Sequence, residues 1–159
     1  MKKIVLAAAL VALSSGSAFA ATANGSATAV VITPIAISHT GVAINFGTFD
    51  AGTGGTVAVS SAGAGSVTGN VTAVGTQNYT ADSFTVTGVA GNNFSIATTG
   101  STVSGPGAPM AFTTTPSATS GTLNGSGSAT FSVGGVLTVA SGQTAGGYSG
   151  SYVATVLYQ

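Results

Sequence analysis

Few side chains of this sequence could move a proton, carry charge or hold a metal. After residue 20 the chain has no Lys, Arg, Glu or Cys, which leaves Asp50, Asp82, His39 and the tyrosines Tyr79, Tyr148, Tyr152 and Tyr158 as its ionisable side chains. One histidine, two aspartates and any of many serines could in principle form a nucleophilic triad. The G-x-S-x-G elbow that would present such a serine is absent. Asp50 opens the stretch DAGTGG, where an aspartate can bond its own backbone two residues on and start a turn. The same stretch lacks the lysine and the following helix of a phosphate-cradling loop. His39, in ISHTG, falls at a strand end. A lone carboxylate with backbone carbonyls makes a weak calcium site, so calcium at Asp50 or Asp82 is left open as a minor alternative. The expectation is no catalytic residue, no metal, no cofactor and no enzymatic activity.

What is missing also bounds the partners. Both lysines, Lys2 and Lys3, lie in the opening stretch MKKIVLAAALVALSSGSAFA, whose apolar run from Ile4 to Leu13 leads to the small-residue pattern Ala18-Phe19-Ala20. This is the pattern of a secretory signal peptide over residues 1–20, too short to span a bilayer. The expected location is therefore the periplasm in transit, then the cell surface or the medium. Without basic side chains the exported part cannot neutralise phosphates, which argues against nucleic acid and anionic membranes as partners. No later stretch is a candidate transmembrane segment. Stability must come from packing and strand pairing, because there is no cysteine to form a disulfide.

The elements that would position any site are short. Runs such as ATAVVIT (27–33), GVAINFG (41–47), TVAVS (56–60), NVTAV (70–74), SFTVTG (83–88), NFSIAT (93–98), MAFTTT (110–115), SATFSV (128–133), VLTVA (136–140) and YSGSYVATVLY (148–158) alternate apolar with hydroxyl-bearing residues. They recur every roughly 8 to 14 residues with turn signals between, which predicts an all-β antiparallel sandwich or barrel, a two-sheet sandwich being favoured. The core candidates are Phe46, Phe84, Phe94, Phe131, Val86, Ile96 and Val133. Tyr148, Tyr152 and Tyr158 share even positions of the last run with Ala154 and Val156, so all five should face one side of a sheet. Such a pattern suits packing better than an aromatic platform for a sugar. Threonine rows such as FTTTP would suit an ice or mineral surface only if they were regularly spaced, and the sequence alone shows no such spacing.

The last block, FSVGGVLTVASGQTAGGYSGSYVATVLYQ (131–159), resembles the C-terminal signature of a secreted bacterial family known as domain of unknown function 4402. TPIAI (33–37), INFGTF (44–49) and FTVTGVAGNNFSI (84–96) resemble its earlier blocks, and the arginine common in its third block is missing from SSAGAGSVTGNV (60–71). More widely, the chain is similar to chaperone-usher pilins, whose subunits end in an alternating strand with a glycine fourteen residues from the end and a penultimate tyrosine, here Gly146 and Tyr158. That resemblance implies an immunoglobulin-like sandwich lacking its last strand and completed by the N-terminal extension of the next subunit. It also implies a periplasmic chaperone and an outer-membrane usher as partners.

The sequence thus divides into a signal peptide (1–20), an N-terminal extension or first strand (21–33) and one β-sandwich domain (34–159). The uncharged extension ATANGSATAVVIT is the candidate donor strand, with Ala27, Ala29, Val30, Val31 and Ile32 as its assembly residues; Gly146, Tyr148, Tyr152, Val156 and Tyr158 are those of the acceptor. The expected protein is a non-enzymatic, fimbria-like structural subunit that polymerises head to tail with copies of itself and contributes to adhesion or biofilm. The alternative is a self-complete monomeric sandwich, with the N-terminal segment paired in cis, that binds a polysaccharide or another surface.

Overall fold

A computed structural model describes residues 20–159; the expected signal peptide, up to residue 19, lies outside the described residues. The described residues are all-β and antiparallel. Its strands are β1 (Ala36–His39), β2 (Phe49–Asp50), β3 (Gly55–Val59), β4 (Gly65–Gly69), β5 (Thr72–Ala73), β6 (Asp82–Thr87), β7 (Asn93–Thr99), β8 (Ser101–Val103), β9 (Met110–Pro116), β10 (Ser120–Thr122), β11 (Ser128–Val139) and β12 (Val153–Tyr158). Seven of them form one sheet, β1-β6-β11-β3-β4 with β9 on β11 and β8 on β9. A second sheet has the order β10-β7-β12, and β2 and β5 form a small pair.

Alternation of side chains decides what each sheet buries. In β6, Asp82, Phe84 and Val86 point inward while Ser83, Thr85 and Thr87 point out; in β11, Phe131 and Val133 point inward while Thr130 and Ser132 point out. Register sets Thr85 against both Ser38 and Thr130, so the outer face of the large sheet carries hydroxyl beside hydroxyl with no ionisable group among them. Inside, one apolar cluster gathers Val86, Phe94, Ile96, Leu123, Phe131, Val133 and Val156 between the two sheets. A second gathers Val57, Val71, Met110, Phe112, Leu137 and Val139. Of the expected core, Phe94, Phe131, Val86, Ile96 and Val133 are buried, whereas Phe46 and Phe84 are half-buried.

Several expected runs behave differently. SATFSV and VLTVA are one twelve-residue strand rather than two, because the Gly134-Gly135 pair makes no turn. It sits where β11 passes from pairing with β6 to pairing with β3. A β-carbon at Gly134 would lie 2.3 Å from the Val59 carbonyl oxygen, and one at Gly135 would lie 2.5 Å from that of Thr113. The glycines are there for close backbone approach. ATAVVIT forms no strand, GVAINFG is reduced to a single bridge between Asn45 and Thr80, and NVTAV to Thr72–Ala73. Outside the second cluster the chain thus has open segments where strands were expected.

Candidate functional site

The last thirteen positions that carry the terminal pattern run beside β7 and β8. Just past β12, Gln159 donates its N–H to the Asn93 carbonyl at 3.1 Å. Because antiparallel pairs alternate, odd residues of β12 turn their backbone groups to β7 and the even residues Ala154, Val156 and Tyr158 turn theirs the other way. Upstream, Ser149 and Ser104 exchange two backbone hydrogen bonds of 2.8 and 2.9 Å, so the same parity holds for Tyr148, Gly150 and Tyr152. On that second edge no strand pairs among the described residues. Even positions therefore combine inward side chains with outward, unpaired backbone groups. Tyr148, Tyr152, Ala154 and Tyr158 are half-buried and Val156 is buried, as the alternation predicts. Gly146 lies at φ +148, with Pro106 Cγ 2.6 Å from where its β-carbon would be, so the start of the segment has room for no side chain.

Opposite this edge runs the segment from His39 to Ala51, and a cleft of about 1190 Å³ separates the two rims. Its floor is apolar: Phe84 and the largely buried Met110, Phe112 and Leu137 line it from the large sheet. Phe46 meets Phe112 edge-on at 6.1 Å, and Tyr152 meets Phe112 and Phe84 edge-on at 6.1 and 6.2 Å. These are favourable quadrupole arrangements that hold the rims' aromatic rings in place. Phe46 and Phe84 are half-buried because they line this cleft.

One polar group breaks the apolar floor. Asp82 is 4% exposed and stands at the start of β6. Its Oδ1 accepts from His39 Nε2 at 2.7 Å and from the Ser83 N–H at 2.6 Å, and its Oδ2 accepts from the Tyr152 hydroxyl at 2.8 Å. His39 Nε2 also lies 2.6 Å from the Val42 carbonyl, so one N–H serves two acceptors. Burial, and then the hydrogen bond and charge of Asp82, push the Tyr152 phenol well above its ordinary range and keep it a donor. Among the described residues no three His, Cys, Asp or Glu side chains gather as metal ligands.

No motif links His39 to Asp82 in the sequence, and the structure brings them together. The available signal was parity: Asp82 shares the inward phase of Phe84 and Val86 in DSFTVT, and a carboxylate in that phase must find donors. Asp50 does what its turn motif predicts, accepting the Gly52 N–H at 3.0 Å. The leader residues Ala27 and Ala29 are exposed, and Val30, Val31 and Ile32 are 87%, 96% and 53% exposed, all outside any strand.

The family described as Domain of unknown function (DUF4402) matches residues 35–158. The chain belongs to that family. The DUF4402 match begins at the residue before β1 and ends on Tyr158, so it contains both rims of the cleft and stops short of the leader. No curated protein and no solved structure matches the chain.

Proposed function

We propose that this protein is an exported, non-enzymatic structural subunit of a fimbria-like fibre, assembled by β-strand exchange between copies of itself. The observation that carries the reading is a terminal segment whose outer edge pairs with no strand among the described residues and whose part ahead of β12, Tyr148 to Tyr152, lines an apolar cleft between two rims of one domain. An open strand edge carries unpaired backbone groups and is a template for another strand. A strand laid in the cleft would pair with that edge and cover the half-buried Phe46 and Tyr152. In this reading the domain is an immunoglobulin-like sandwich that lacks one strand.

The donor is the segment 21–33 of a second copy. It has no charge, its exposed apolar residues Val30, Val31 and Ile32 belong to no strand, and it equals in number the residues from Gly146 to Tyr158. Strand addition of this kind draws its affinity from main-chain hydrogen bonds and its register from alternate side chains. Because donor and acceptor are different segments of the chain, the contact is heterologous, and such a contact, left open, propagates head to tail into a fibre. A periplasmic chaperone would cover the cleft before assembly, an outer-membrane usher would export the subunits, and the fibre would serve adhesion or biofilm.

The test is a gel of the mature protein sheared from cells, loaded with and without boiling. A ladder of multiples that collapses to a monomer on heating, and that vanishes on deletion of residues 21–33, is the expected result. A monomer in both lanes overturns the proposal and points to the self-complete binding module instead.

A further inference from the structure

Asp82 is hydrogen-bonded to both rims of the cleft at once. His39 belongs to the rim that continues from β1, and Tyr152 to the rim that continues into β12; each donates to a different oxygen of the one carboxylate, which is fixed to the floor by β6. We propose that Asp82 is a positioning residue that holds the two rims at the spacing an incoming strand needs, so that the cleft is kept open and ready before it is filled. The inference rests on the strand-exchange reading and adds to it the group that sets the acceptor's width.

The chemistry singles out a carboxylate. Both rim groups are donors: the Tyr152 hydroxyl because its partner is a carboxylate, and His39 Nε2 because its other neighbour is the Val42 carbonyl. An ionised carboxylate offers acceptors on both oxygens, whereas an asparagine would present its NH₂ to one of the two donors. No other side chain does this work: after residue 20 the chain has one other acidic residue, Asp50, and that one caps its own turn. A carboxylate so nearly removed from water is costly unless its donors are all in place, so the three groups act as one unit. A cleft that is open in only part of the population binds more weakly by that fraction, and the loss appears in the association rate.

The experiment follows capture of a fluorescently labelled peptide of residues 21–33 by the dilute mature chain, recording association and dissociation rates alongside thermal unfolding. Wild type should capture the peptide. D82N should associate about tenfold more slowly, the scale of a charged hydrogen bond, with a dissociation rate close to wild type. Y152F, which keeps the ring and removes one donor, should slow association in the same direction, and the double variant Y152F/D82N should be no slower than D82N alone. Should D82N fail to fold, Y152F decides alone. Variants that melt lower yet associate at the wild-type rate would make Asp82 a purely structural residue and overturn the inference, as would losses that multiply in the double variant. A wild-type chain that ignores the peptide removes strand exchange itself, and the positioning role with it.

Discussion

The Tyr158 hydroxyl donates to the Thr33 carbonyl at 3.0 Å while accepting the Val89 N–H at 2.7 Å. The penultimate residue thereby fastens the last strand both to the turn after β6 and to the chain just ahead of β1. The ring packs so closely on that turn that a β-carbon at Gly88 would lie 2.2 Å from its oxygen. Together with the β7 ladder, this holds the terminal strand.

Replacing Tyr158 by Phe keeps the packing and removes both hydrogen bonds, leaving the Val89 N–H without its partner. We expect a loss of about 1–3 kcal/mol. Urea unfolding of the mature chain should show a lower midpoint with an unchanged slope.

Backbone parity along β12 gives a test that separates assembly from folding. The Ala154 N–H faces the open edge, so Ala154→Pro removes no hydrogen bond of the domain and blocks a ladder bond to an added strand. Thr155 faces β7, so Thr155→Pro breaks an existing ladder. The proline at 154 should give a folded protein without the heat-sensitive ladder; the proline at 155 should give little folded protein, both read by circular dichroism and gel.

At Gly134 even one carbon is too many. Gly134→Ala places it against the Val59 carbonyl oxygen, and overpacking of this sort costs about 1–3 kcal/mol. A drop in melting temperature should appear for Gly134→Ala and be absent for Gly25→Ala, where nothing lies within 4 Å.

Alkaline pH should act through Tyr152. Its phenol holds its proton to higher pH in the folded chain than in the unfolded one, where it ionises near its ordinary value of 10.0. Above that value the unfolded state binds fewer protons than the folded state, so stability falls as pH rises. The stabilisation is complete below about pH 10 and is lost beyond it. Urea midpoints measured across pH 9–11.5 should decline, and Y152F should flatten the decline.

Strand existence was legible in runs such as DSFTVT, NFSIAT and MAFTTT, because the alternation that marks them is local. The phase of the final run was legible for the same reason, and it placed Tyr148, Tyr152, Val156 and Tyr158 on one side correctly. What pairing decides was not legible. Gly134-Gly135 reads locally as a turn and becomes mid-strand because two neighbouring backbones need the space. The meeting of His39, Asp82 and Tyr152 joins residues 43 and 70 positions apart, which no local pattern encodes. The segment 27–33 has the alternation of a strand, but no strand of the chain pairs with it among the described residues.

The outer face of the large sheet, where Ser38, Thr85 and Thr130 stand in one row, presents hydroxyls and no ions. Dissolved salt changes the reach of charges and has none to act on there. Two such faces meeting side by side would have no charge–charge attraction or repulsion for salt to screen.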